Sequence, residues 1–240
     1  MEILMLRFDA PLMSFGGVMV DQHGPTDRFP GVSLLTGLFA NAMGWRHTDF
    51  DALQALQARI RFAARWDREP EPLRDYHTVD LGQSKMRDPG WTTRGIPEHR
   101  AGKTATKFGT HQRYRHYWAN GVMTLAVALE GESTPSLDTL KAALRQPARP
   151  LFIGRKTCLP AAPILLGRTR AEDLLQALEN QPCDLRANVD TTLAALWPED
   201  LEGGLHARVV AHYDQRDWAN QIHAGRRLYH EGVIRRPPDA

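Results

Sequence analysis

From Leu73 to Trp118 the sequence loses its apolar periodicity, and glycines at 82, 90, 95, 102 and 109, with Pro89 and Pro97, punctuate what remains. A packed core cannot be built from such a stretch, so the body has to come from the segments on either side. A connection this long without its own core is uncommon in a compact domain and is usually functional or disordered. Between Arg94 and Trp118 six cations (Arg94, Arg100, Lys103, Lys107, Arg113, Arg115) face one acid, Glu98. The segment therefore carries +5 where the whole chain of 240 residues carries +2. Trp91, Phe108, Tyr114 and Tyr117 lie among these charges. Cations that take phosphates and rings that take bases suit a single-stranded nucleic acid. The competing reading is a loop kept soluble by charge; the pattern favours an arm that orders on a partner.

The flanks are strongly patterned. Residues 2–8 form an apolar run expected to be a buried strand, followed by an irregular connection marked by Gly16-Gly17 and Gly24-Pro25. Ser33 is the expected N-cap of a helix with one apolar face (Leu34, Leu35, Leu38, Phe39, Ala42, Met43) that stops at Gly44. A short helix is expected over 49–58. Arg59 to Trp66 then alternates, with Ile60, Phe62, Ala64 and Trp66 opposite Arg59, Arg61 and Arg65, which predicts a half-buried strand with a basic outer row. After the arm come a strand over 121–129 and a helix opened by Pro135-Ser136 with Leu137, Leu140, Ala143 and Leu144. Leu151 to Ile153 reads as the next strand. Strand–helix–strand thus occurs twice, which predicts an α+β fold with a ferredoxin-like (RRM-like) core. A further helix is expected over 171–178 and two closing strands over 205–213 and 226–234, beyond Gly203-Gly204.

Phe152-Ile153-Gly154-Arg155-Lys156-Thr157-Cys158 places a glycine, two cations and a hydroxyl directly after that expected strand. Glycine permits close approach of a ligand to the main chain, and exposed N–H groups beside Arg155 and Lys156 make a pocket for phosphate. An ordinary basic turn is the alternative.

Other functions find no support in the sequence. The apolar content of 42% rules out a disordered chain, and Cys158 and Cys183 alone make no disulfide framework. The apolar run of residues 3–6 is too short for a leader and no later run approaches membrane-spanning length, so a soluble, cytoplasmic protein with no membrane role is expected. Walker, dinucleotide, nucleophile-elbow and His-Glu-x-x-His motifs are absent, and His111 with His116 lacks ligand spacing, so neither metal nor cofactor is expected. The best catalytic candidates are Tyr76 and His77, which with a lysine of the arm would cleave RNA at a 2′-hydroxyl if their side chains converged. Adjacent residues of an extended segment point to opposite faces, which favours packing or RNA contact over catalysis.

Four stretches in the same order resemble CasD-type subunits of the type I-E CRISPR Cascade complex, a branch of the RAMP superfamily. They are Leu6 to Gly16, Arg28-Phe29-Pro30 with Leu34, Leu35, Gly37 and Leu38, Leu73 to Val79, and Phe152 to Cys158. Little resemblance extends beyond residue 170. The resemblance implies one RAMP-type domain over 1–240, with a thumb over roughly 78–115, a glycine-rich loop at Gly154, Arg155, Lys156 and Thr157, and a C-terminal extension over 170–240. Subunits of this type grip the 5′ handle of the CRISPR RNA and touch the backbone subunit and the large PAM-reading subunit, reaching target DNA only indirectly in antiviral defence. They are not catalytic, whereas type I-C relatives cut RNA with a tyrosine, a lysine and a histidine whose counterparts are not located here. Carried onto this chain, the implied RNA contacts are Arg28, Ser33, Tyr76, His77, Lys103, Lys107, Arg113 and the 154–157 loop. Arg28 and Ser33 sit at a helix start, where phosphates are favoured. Gly31 to Gly37 departs from the family's threonine–x–serine–glycine pattern. The alternatives are a metal-independent endoribonuclease that processes CRISPR repeat RNA and an assembly subunit whose arm docks on protein.

Overall fold

The computed structural model describes residues 1–17, 22–80, 90–91, 97–98, 110–184, 186–187 and 191–237. In chain order its elements are β1 (Glu2–Asp9), β2 (Leu12–Met13), β3 (His23–Gly24), α1 (Val32–Met43), α2 (Phe50–Arg59), β4 (Ile60–Arg68) and β5 (Glu71–Asp80). There follow β6 (Gly90–Trp91), β7 (Pro97–Glu98), β8 (Thr110–Ala119), β9 (Val122–Leu129), α3 (Leu137–Arg145), β10 (Leu165–Arg170), α4 (Leu174–Asn180), β11 (Thr192–Pro198), β12 (Leu205–Asp217) and β13 (Ile222–Arg235). They divide into two compact units. One comprises Met1–Gly16, Thr26–Pro72 and Trp118–Ala240; the other comprises Gly17–Pro25 and Leu73–Tyr117.

The first unit is a mixed α+β body on a seven-stranded sheet of order β10-β1-β9-β4-β11-β13-β12, with every neighbouring pair antiparallel. Side chains alternate between the faces of a strand. Leu4, Leu6 and Phe8 of β1, Phe62, Ala64 and Trp66 of β4, and Met123, Leu125 and Val127 of β9 pack with Leu35, Phe39, Leu140 and Leu144 of α1 and α3. Ile3, Met5, Ala63, Ala126 and Ala195 fill the opposite face with Leu174, Leu175 and Leu178 of α4. Central strands buried on both faces explain why β1 and β9 read as continuous apolar runs.

That second layer corrects the reading of Arg59 to Trp66. Arg65 does not line a solvated row; it and Asp67 are 0% exposed. Its Nε donates to Asp67 Oδ1 (2.7 Å), and its terminal nitrogens donate to the carbonyls of Leu178, Gln181 (2.7 Å) and Pro182 (3.2 Å) at the end of α4. Asp67 Oδ2 accepts from Thr124 Oγ1 (2.9 Å) and the Asp184 N–H (3.0 Å). A buried ion pair requires such complete hydrogen bonding.

Two local expectations also change. Leu151 to Ile153 is not a strand, because Ile153 N–H donates to Cys158 O (2.8 Å) and closes a turn. The next strand is β10. Ser33 is the second residue of α1, not its cap; Gly31 holds the N-cap position with no side-chain cap of its own. Ser136 does cap α3, accepting from Thr139 N–H at 3.2 Å.

In the second unit β8 pairs with β5 and, in parallel, with β3 through His23–Tyr114 and Gly24–Arg115. The two-residue strands β6 and β7 pair antiparallel. Among the described residues no helix is long and apolar enough to cross a membrane.

Candidate nucleic-acid interface

The second unit gathers four rings and an arginine on one side of its small sheet. Alternation along β5 puts Arg74 and Tyr76 on one face and Asp75 and His77 on the other. Tyr76 stacks on Tyr114 of β8 (centroids 5.1 Å apart, planes at 30°), and the Arg74 guanidinium lies 5.3 Å from the same ring. His23 of β3 stacks on Tyr114 at 5.0 Å and 12°, with His116 a further 6.4 Å from His23. The parallel pairing of β3 and β8 fixes this row, because Tyr114 N–H donates to Gln22 O at 2.8 Å. Tyr76 remains 51% exposed. A row of stacked rings with an arginine over one of them can accept bases on its faces and a phosphate at its guanidinium.

Tyr76 and His77 therefore do not converge. His77 Nε2 lies 2.5 Å from Asp75 Oδ2, on the face away from Tyr114. The sequence points to Tyr76 and to Tyr114 among the rings of the arm, but not to Arg74, His23 or His116 as contacts. The alternation Tyr114, His116 against Arg113, Arg115 was a legible signal on β8; its partners on β3 and β5 were not. Arg113 is exposed on β8, and Lys103 and Lys107 lie outside the described residues.

The first unit carries the remaining candidates. Gly154 has φ +91°, and a Cβ placed there would lie 1.5 Å from the Ser14 carbonyl oxygen. Ser14 N–H in turn donates to Ile153 O (3.3 Å). The glycine is required by the chain's own backbone, which anchors the loop from beneath. Cys158 N–H donates to Arg155 O (2.8 Å), so the loop turns back on itself with Lys156 and Thr157 exposed and Arg155 half-buried. Cys158 is fully buried, and burial pushes its thiol up.

Arg28 is exposed and pairs with Glu69 at 2.9 Å. The first turn of α1, which the sequence offers to an anion, holds an internal one. Asp214 of β12 accepts Val32 N–H at 2.5 Å, and a Cβ on Gly31 would lie 2.5 Å from Asp214 Cβ. Burial pushes the Asp214 carboxyl up. Ser33 beside it is half-buried. Among the described residues no group of three or more histidines, cysteines or acids is placed to hold a metal ion.

Comparison with known proteins adds a lineage to this geometry. The family model described as CRISPR-associated protein (Cas_Cas5) matches residues 3–230. The CRISPR system Cascade subunit CasD of Escherichia coli (strain K12) is 31% identical over 185 residues, covering 74% of this chain and 75% of that protein. A solved chain described as CRISPR RNA-guided surveillance complex superposes with a TM-score of 0.68 at 25% identity, covering 98% of this chain and 90% of that one. Another, described as crystal structure of Cas protein, superposes with a TM-score of 0.65 over 99% of this chain and 98% of its own; at 23% identity it speaks to the fold alone.

Proposed function

Because the chain belongs to the Cas5 family of CRISPR-associated proteins, we propose that it is a CRISPR RNA-binding subunit of a type I-E Cascade surveillance complex, acting in the cytoplasm and without catalysis. The observation that carries the reading is the row Arg74, Tyr76, Tyr114, His23 and His116, a stacking surface for unpaired bases. The RNA segment we assign to it is the 5′ handle. The exposed turn at Lys156 and Thr157 supplies a second, phosphate-directed contact. In this reading β1, β4, β9 and β10 with α1 and α3 are a ferredoxin-like core, supported by their strand order and antiparallel pairing. The residues from 78 to 115 are the thumb that meets the backbone subunit, and the large PAM-reading subunit is the other neighbour.

The test is a gel shift of the full chain with labelled repeat RNA in EDTA, read on native and denaturing gels together. Shifted and intact RNA is the expected result. A discrete product that disappears in His77→Ala would replace this reading with a metal-independent endoribonuclease.

A further inference from the structure

The sheet of the first unit outruns its cover. Helix α4 has only seven residues, about 10 Å of helix, and strands lie about 4.8 Å apart. The apolar cluster it shares includes Ala195 and Trp197 of β11 and reaches Ile234 of β13. Register carries the same face onward: Trp197 opposes His230, His230 opposes Val209, and Leu228 opposes Ala211. On that continuation Leu228 is 39% exposed, Val209 52% and Tyr213 60%. Soluble proteins seldom leave such an apolar strip bare without an interaction to cover it.

The strip borders an open edge. β12 ends the sheet and, among the described residues, pairs only with β13. Edge strands are ordinarily guarded by lysine, proline or bulges. β12 contains no lysine or proline, and between its register shifts the run Arg208 to His212 pairs regularly. The acids of the β12–β13 hairpin are spoken for: Glu231 of β13 pairs with Arg208 (3.0 Å), Asp214 caps α1, and Asp217 accepts from Asn220 (2.7 Å). The hairpin from 205 to 235 holds five arginines against three acids, and His206, Arg208, His223 and Arg226 are exposed.

We infer that β12 is a docking edge for an extended segment of a neighbouring protein subunit, one in which apolar residues alternate with Asp or Glu. The segment adds as a strand to Arg208–Tyr213, its apolar side chains on Val209, Ala211 and Tyr213 and its carboxylates toward the hairpin's cations. Aliphatic side chains beside an open backbone edge favour protein over RNA here. The inference rests on the reading of the chain as a subunit of an assembly, but not on the RNA surface of the other unit.

The test co-expresses the full chain with the other protein subunits of its own complex and compares amide hydrogen exchange with that of the isolated chain. Amides within 208–213 are expected to exchange at least tenfold more slowly in the complex. Val209→Glu with Tyr213→Glu, both at exposed positions, is expected to lower the co-purified fraction at least fivefold and leave the isolated chain's RNA affinity within twofold of wild type. Equal exchange rates in complex and isolated chain would overturn the docking edge. So would protection in the isolated chain that rises with concentration, which marks a second copy as the occupant. Loss of RNA affinity with assembly intact would make the strip a nucleic-acid surface instead. Failure of the wild-type chain to co-purify with the subunits would overturn the Cascade reading itself.

Discussion

Replacing Arg65 by methionine tests how the two layers over the sheet are joined. The substitution keeps most of the side chain's length and removes its charge. Asp67 would keep the Thr124 hydroxyl and the Asp184 N–H but lose its counterion at 0% exposure. The carbonyls of Leu178, Gln181 and Pro182 would lose a donor at the same time. Removing one partner of a buried, hydrogen-bonded pair costs about 3–5 kcal/mol. For a domain of this size 1 kcal/mol moves Tm by about 2–4 °C, so the expected loss is roughly 6–20 °C. Arg65→Lys should fall between, since an ammonium carries the charge but cannot span Asp67 and the end of α4 together. Circular dichroism melts of the three proteins provide the assay. A Tm for Arg65→Met within 2 °C of wild type would refute the claim that this network clamps α4 onto β4.

Gly154→Ala should destabilise by at least about 1–2 kcal/mol from the positive φ alone, before the clash with the Ser14 carbonyl is counted. Urea unfolding reads the loss, and an unchanged midpoint would refute the backbone argument. Asp214 has its carboxyl raised by burial, so its contribution to stability is complete below its unfolded pKa of about 3.9 and is lost as pH rises through the folded value. Asp214→Asn keeps an oxygen for Val32 N–H, so its Tm minus that of wild type should increase from below pH 4 towards neutrality; a value that stays flat or falls would refute the assignment. Arg155→Ala with Lys156→Ala should lower RNA affinity and flatten the slope of log K against log salt by about 1.4, at about 0.7 per single-strand phosphate contact. Fluorescence titrations over a salt series measure it, and an unchanged slope would remove the loop from the interface.

Periodicity made much of the first unit legible. The expected helix ending at Gly44 is α1, whose C-cap Gly44 has φ 79°, and Ser136 caps α3 as its position suggests. The closing strands expected from 205 and 226 are the starts and cores of β12 and β13, each longer than its apolar pattern. Most of what failed was decided at long range. Arg65 alternates like a surface residue, and only α4, more than a hundred residues on, buries it. Asp214 reaches the first turn of α1 from 182 residues away and displaces Ser33 from the capping role. Leu151 to Ile153 has the composition of a strand but finds no neighbouring strand, because a local turn closes first. The stacked row joins three segments, around 23, 76 and 114, whose pairing no local pattern encodes. Tyr76 and Tyr114 are each visible in the sequence; their stacking, and the addition of His23 and Arg74, depend on the sheet.

The most direct measurement is the affinity of Tyr76→Ala for handle-containing RNA, by fluorescence anisotropy at one fixed salt concentration, beside wild type and Tyr114→Phe. Base–aromatic stacking is worth about 1–3 kcal/mol per base, so Tyr76→Ala should bind about 5- to 150-fold more weakly. Tyr114→Phe, which keeps the central ring, should bind like wild type. Affinity for Tyr76→Ala within twofold of wild type would contradict the stacked row as the RNA surface.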